Sequence, residues 1–182
     1  MARLQVTEVF RGISMPGQLH TQESLHAATN FQFQDTDVLL VTFPKSGTTW
    51  MQQILSLIFN KEDLQNIQSI PTWARVPWIE QIYLSNYLPQ VEASKPRLFT
   101  THFPAKLLIH NLKNSKARVV YLARNPKDVL VSYYHFHKLA KFLPEIGSFD
   151  DFFDQFLEGK GYYMGIQGGM DRIDRKTWLA PF

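Results

Sequence analysis

The run Lys45-Ser46-Gly47-Thr48-Thr49 carries the ingredients of an anion site. Lys45 supplies a compact positive charge, and the hydroxyls of Ser46, Thr48 and Thr49 donate hydrogen bonds. Gly47 lets the backbone approach a guest closely. These groups converge if the run lies at the mouth of a helix, where unpaired N–H groups and the helix dipole favour negative charge. Phosphate or sulfate is then the natural guest; a plain strand-to-helix turn with a surface lysine is the other reading. Because Lys45 precedes the glycine instead of following it, the run is not a Walker A loop, and ordinary nucleoside-triphosphatase chemistry is disfavoured.

The flanking residues supply the elements that must hold such a loop. Val38-Leu39-Leu40-Val41-Thr42-Phe43 is a short apolar run typical of a strand buried on both faces. After the loop, Met51, Ile54, Leu55 and Ile58 recur at i, i+3, i+4 and i+7, which predicts a helix with that face inward. A second such unit begins at Arg118. Val119-Val120-Tyr121-Leu122-Ala123 reads as a buried strand, Asn125 as an N-cap, Pro126 as the first helical residue and Asp128 as a first-turn acid. Val129, Ser132, Tyr133 and Phe136 then share one face. A third strand is predicted over Arg97-Leu98-Phe99-Thr100-Thr101-His102. Two strand-to-helix units at this separation imply an α/β fold with a parallel central sheet flanked by helices. Ser148 caps a further helix whose Phe149, Phe152, Phe153 and Phe156 form a stripe, read as core in preference to a pocket wall. Five of the nine glycines lie at 159, 161, 165, 168 and 169, so no regular core element is expected from Gly159 onward.

Composition removes other classes of function. A chain of 182 residues, 45% hydrophobic and 14% aromatic, can bury one sizeable core. Its 19 basic residues are interspersed with 16 acidic ones for a net charge of +3, so nucleic acid is not an expected partner and any anion site is local. The absence of cysteine excludes disulfides, thiolate zinc sites and a cysteine nucleophile. Residues 1–18 lack the apolar core of a signal peptide and no run reaches membrane-span length, so a cytoplasmic protein without a membrane partner is expected. His135 and His137, two apart, turn to opposite sides of a helix. His20, His26 and His110 have no ligand-spaced partners and read as surface residues, so no metal site is predicted.

The segments Thr42-Phe43-Pro44-Lys45-Ser46-Gly47-Thr48-Thr49-Trp50, Thr101-His102-Phe103-Pro104 and Tyr121-Leu122-Ala123-Arg124-Asn125-Pro126-Lys127-Asp128-Val129-Leu130-Val131-Ser132-Tyr133-Tyr134 closely resemble three ordered motifs of the cytosolic sulfotransferases. The similarity runs from about Phe10 to about Glu158. It implies the P-loop-like sulfotransferase fold, the donor 3′-phosphoadenosine 5′-phosphosulfate (PAPS) with product PAP, and no metal. Sulfonate would pass to a hydroxyl or amine of a small hydrophobic acceptor such as a phenol or hydroxysteroid. By this resemblance, Lys45 to Thr49 cradle the 5′-phosphosulfate, and Trp50 stacks on adenine, although on its own it reads as a packed helix residue. Arg124 and Ser132 grip the 3′-phosphate, for which a guanidinium fork and a hydroxyl are suited. His102, on its own a structural histidine, matches the catalytic base, assisted by Lys45. Trp78, Phe103 and Phe136 shape the acceptor pocket, with Trp73 and Pro77 nearby.

After Glu158 the sequence leaves the family pattern. The expected organisation is a sulfotransferase domain over residues 1–158, containing its nucleotide-binding part, and a divergent tail over 159–182. The later family motifs, including the Arg-Lys-Gly motif at the 3′-phosphate and the dimer segment, have no counterpart here. The resemblance therefore implies a truncated or alternatively spliced form, incomplete at the C-terminus, either monomeric or associating through an exposed sheet edge. An inactive isoform that binds PAP or PAPS weakly, or associates with full-length subunits, is the alternative.

Overall fold

The computed structural model describes residues 7–59, 64–92 and 96–163. A hairpin comes first, β1 (Thr7–Phe10) and β2 (Ile13–Pro16), paired antiparallel. Its turn residues Arg11 and Gly12 have φ of 49° and 79°, as the two-residue turns that match strand twist require. Helix α1 (Gln22–Thr29) starts from a capping box between Thr21 and Ser24. Strand β3 (Val38–Thr42) leads into α2 (Thr48–Phe59). The helices α3 (Leu64–Ser69), α4 (Thr72–Arg75) and α5 (Leu84–Glu92) precede β4 (Leu98–Thr101). A 3-10 turn (Ala105–Leu107), α6 (Ile109–Lys113), β5 (Arg118–Leu122), α7 (Pro126–Leu139) and α8 (Phe149–Leu157) complete the order. Two compact units result, one of residues 19–123 and one that joins the N-terminal hairpin to the chain from Arg124 onward.

In the first unit, β3 lies between β4 and β5, and both pairings are parallel. The register sets Leu39 opposite Phe99 and Val41 opposite Thr101. Side chains alternate across the sheet, so Val38, Leu40 and Leu98 pack with Leu55 and Val76 on one face. On β3 and β4 the neighbouring residues Leu39 and Phe99 are buried as well, and the Phe31 ring meets Phe99 edge-on at 4.9 Å. Each fully buried aliphatic or aromatic side chain contributes roughly 1.5–3 kcal/mol. Strand β3 is therefore covered on both sides, as its apolar text predicts. Strand β5 is not. It is an edge strand in the described sheet, and Tyr121 is 72% exposed, with Val119 also open. An uninterrupted apolar run does not distinguish an edge strand from a central one.

Helix α2 forms where its periodicity predicts, but a different face turns inward. Thr48, Gln52, Leu55 and Ser56 are buried, whereas Ile54, Leu57 and Ile58 are exposed. The cause is a polar contact in the core: the Gln52 amide donates to the Val76 carbonyl at 3.0 Å and to the Thr100 hydroxyl at 2.9 Å. Satisfying those buried acceptors outweighs burying two isoleucines.

The second unit contains the hairpin, α7 and α8. Asn125 caps α7 through the Lys127 N–H at 2.9 Å, and Ser148 caps α8 in a box with Asp151. Phe152, Phe153 and Phe156 are buried, and Phe149 is partly exposed at the end of the stripe. The Tyr133 hydroxyl donates to the Tyr162 carbonyl at 3.1 Å, the hydroxyls of Thr7 and Tyr162 are hydrogen-bonded, and the Tyr163 N–H donates to the Ser14 carbonyl at 2.8 Å. Residues 164–182, most of the glycine-rich tail, lie outside the described residues. Among the described residues no helix is long and apolar enough to cross a membrane.

At the amino end of the sheet, Asp37 and Arg97 form a buried bidentate pair, with Nε to Oδ1 at 2.8 Å and Nη2 to Oδ2 at 2.6 Å. Their backbones start the pairing, since Val38 N–H donates to Arg97 and Arg118 N–H to Asp37. Removing one partner strands a buried charge where all three strands begin. Asp37→Ala is expected to lower unfolding free energy by about 3–5 kcal/mol in urea titration, with the double variant Asp37→Ala/Arg97→Met losing less than that single change.

Candidate active site

The loop Pro44 to Gly47 follows the carboxyl end of β3, the edge where parallel α/β sheets hold ligands. Lys45 and Gly47 both lie in the left-handed region, with φ of 67° and 103°. A lysine there carries about 1–3 kcal/mol of backbone strain, a cost that persists mainly at functional turns. The loop closes through a Ser46 N–H to Phe43 carbonyl bond at 3.2 Å, and the Gly47 carbonyl accepts from Met51, the first helical bond of α2. The N–H groups ahead of Met51 thus face the loop without an intrahelical acceptor. Lysine, serine and threonine line this run with no carboxylate among them, a donor-only set suited to an anion. Ser46 and Thr48 are buried; Thr49 is exposed, and Trp50 is 81% exposed, so it is not a core residue.

His102 is the first residue past β4, and the sheet register brings it beside Thr42, the last residue of β3. Its Nδ1 lies 2.8 Å from the Thr42 carbonyl and 3.1 Å from the Thr42 hydroxyl. A carbonyl can only accept, so the neutral ring carries its hydrogen on Nδ1, and Nε2 is the basic nitrogen. The Thr42 hydroxyl also meets the Thr48 hydroxyl at 2.8 Å. One hydrogen-bonded chain therefore runs from the start of α2 to the imidazole. Burial pushes the His102 pKa down to about 4, helped by repulsion from His20 and opposed by the Thr42 carbonyl. The ring is neutral at pH 7.

Three contributors were not legible as such in the sequence. Thr42 reads as the end of a strand and the first residue of the loop motif, with no role of its own. Glu80 is a lone acid after an apolar Pro-Trp-Ile run, and it is fully buried with its Oε1 accepting the His102 backbone N–H at 2.7 Å. Burial raises its pKa to about 7, against the hydrogen bonds from His102, its own backbone and Thr101. His20, expected on the surface, is instead fully buried and close enough to repel the His102 charge. A single imidazole among polar neighbours has no periodic signal to betray its burial.

A cavity of about 290 Å³ opens in the same unit, lined by Leu19, Trp73, Pro77, Trp78, Tyr83 and Tyr87 among others. The ring of Trp78, one of its lining residues, lies 5.9 Å from the His102 ring, while His102 itself is not part of the lining. Phe103 is 1% exposed and does not line the cavity; its N–H donates to the Thr101 hydroxyl. Arg124, Ser132 and Phe136 belong to the other unit. There Arg124 reaches Asp128 at 4.0 Å, an exposed i,i+4 pair, Ser132 is partly buried on α7, and the Phe136 ring meets Phe142 at 6.0 Å. Among the described residues no group of three or more His, Asp or Glu is arranged to hold a metal ion.

Glu80 and His102 respond to pH in opposite directions. Folding favours neutral Glu80, so between its ordinary 4.5 and about 7 the folded chain keeps a proton the unfolded chain has lost, and stability falls as pH rises. Folding also favours neutral His102, so between about 4 and its ordinary 6.5 the unfolded chain holds the extra proton, and stability rises with pH. The slopes, each at most about 1.4 kcal/mol per pH unit, offset one another where the windows overlap. Urea unfolding across that overlap is expected to show stability rising with pH in Glu80→Gln and falling in His102→Gln; the reverse signs would contradict the assignment.

The sequence model of the sulfotransferase domain matches residues 35–166. Human sulfotransferase 2A1 is 39% identical over 175 residues, 93% of this chain and 61% of its own length. Human sulfotransferase 2B1 is 41% identical over 171 residues, 93% of this chain and 45% of its own length. The chain thus spans about half to three-fifths of these relatives. Among solved structures, a mouse sulfotransferase, SULT7A1, complexed with PAP superposes with a TM-score of 0.67 at 25% identity, covering 87% of this chain and 54% of its own. A retinol dehydratase in complex with retinol and PAP gives a TM-score of 0.65 at 22% identity, a likeness of fold. With three parallel strands, a loop of this geometry at the mouth of α2 and a family match over most of its length, the chain belongs to the sulfotransferase family.

Proposed function

We propose that this chain transfers sulfonate from PAPS to a hydroxyl of a small hydrophobic acceptor, with His102 as general base. The observation that carries the reading is the chain of hydrogen bonds from Thr48 through Thr42 to the His102 Nδ1, which ties the base to the anion loop. PAPS, when bound, supplies an electrophilic sulfur and PAP as leaving group. Lys45 and the amides at the mouth of α2 hold the negative oxygens around that sulfur and balance the charge that grows on the departing phosphate. His102 Nε2 takes the acceptor hydroxyl's proton as the oxygen–sulfur bond forms and the bond to the phosphate oxygen breaks, and the imidazolium later returns that proton to solvent.

The remaining assignments follow the family pattern. Trp50, exposed at the start of α2, is assigned to the adenine face, and Arg124 and Ser132 to the 3′-phosphate. The aromatic-lined cavity beside Trp78 is assigned to the acceptor, and its rings favour a phenol or a fused-ring alcohol. The sister structure complexed with PAP supports the choice of donor. The second reading is a chain without turnover that binds nucleotide weakly or associates with full-length subunits; the open apolar residues of α2 and β5 favour the association.

Incubating the purified chain with labelled PAPS and a panel of phenols, hydroxysteroids and amines separates the two. Lys45→Ala and His102→Ala are each expected to lower turnover by at least about 10²-fold. By calorimetry, PAP affinity is expected to fall about tenfold or more in Lys45→Ala, through loss of a charge-assisted contact, and to stay unchanged in His102→Ala. Full turnover in His102→Ala would refute the base assignment, and PAP binding without turnover in the parent chain would favour the binding reading.

A further inference from the structure

Glu80 is absent from every motif that carries the family resemblance, yet it is fully buried, and its Oε2 makes no hydrogen bond in the structure. An under-satisfied buried carboxyl is destabilising, so what it does make is informative. Its Oε1 accepts the N–H of His102 at 2.7 Å. His102 has just left β4, and its N–H lies beyond the last paired residues of the ladder, Val41 and Thr101.

The backbone that carries Glu80 is itself clamped. Thr100 N–H donates to the Pro77 carbonyl at 2.8 Å, and Ile79 N–H to the Thr100 carbonyl at 3.0 Å, so Trp78 forms an isolated parallel bridge with Thr100 of β4. On the far side the Ser24 hydroxyl, part of the α1 cap, donates to the Glu80 carbonyl at 2.9 Å. The same segment contributes Pro77, Trp78 and Gln81 to the cavity wall. Held at its main chain by Glu80, at Nδ1 by Thr42 and on one side by the Trp78 ring, the imidazole has little freedom left.

We propose that Glu80 is the positioning residue of His102: by accepting its backbone N–H from the cavity-lining segment, the carboxyl fixes where the imidazole stands relative to a bound acceptor. This rests on the reading of His102 as the base. The carboxyl touches no reacting atom, and its effect passes through the backbone turn at 102. A chain that shapes the acceptor cavity and sets the base with one segment couples acceptor fit to base alignment.

The test compares Glu80→Leu, which has no acceptor, with Glu80→Gln, which keeps one, in protein labelled with nitrogen-15 at histidine. In Glu80→Leu the His102 amide is expected to exchange at least tenfold faster and the ring nitrogen shifts to leave the Nδ1–H pattern. Turnover is expected to fall about 10²-fold with the KM for PAPS unchanged, the loss typical of a displaced catalytic group. Glu80→Gln should restore amide protection and most of the turnover. Unchanged amide exchange and ring shifts in Glu80→Leu, or a Glu80→Gln variant no better than Leu, would overturn the proposal. Should Glu80→Leu fail to fold, the parent and Glu80→Gln decide: a protected His102 amide in both supports it, and an unprotected one in either refutes it. The amide and ring signals are read without turnover, so an inactive parent chain would favour the binding-only reading and leave the positioning role separately decided.

Discussion

The parallel pairing of β3 with β4 is the constraint on which the rest depends. With Val41 opposite Thr101, the next residue on each strand is a site residue, and Thr42 meets His102 across the end of the ladder. A slip of one residue would exchange the faces of the whole strand and send the imidazole away from the loop. The Asp37–Arg97 pair guards the same register from the other end, because it joins the residues just before β3 and β4 and leaves neither charge alone in the core.

Polar groups inside this unit hold its elements to one another. Gln52 turns α2 by bonding the Val76 carbonyl and the Thr100 hydroxyl, and Thr100 in turn donates to Val76 at 2.9 Å. That triad fixes the rotation of the helix whose amino end receives the loop, so the orientation of the loop is set in the core beneath it. The strained backbone of Lys45 is tolerated because the strand before it and the helix after it are both held.

The electrostatics follow from burial in the same region. The Glu80 carboxyl, which accepts the His102 backbone N–H, and the His102 imidazole are both kept toward their neutral forms, the carboxyl up to about 7 and the imidazole down to about 4. The lowered value keeps the ring's lone pair free at neutral pH and at the same time makes it a weaker proton acceptor than an ordinary imidazole. His20, a third titratable group in the same place, opposes any positive charge on His102.

Local chemistry was enough to read the strand before Lys45, the helix after Gly47, the cap at Asn125 and the cap at Ser148, because each depends on residues a few positions apart. The loop between them was legible for the same reason, and the three motifs carried the family. Which face of α2 is buried, that β5 lies at an edge, that His20 is inside and that Glu80 holds His102 were settled only by tertiary contacts. Those contacts join residues 22 to 60 positions apart, among them Glu80 with His102, Gln52 with Thr100 and Thr42 with His102, and nothing in a local pattern records a hydrogen bond across that distance. The sequence alone determined the ingredients of the site; the register of one parallel strand pair decided how they meet.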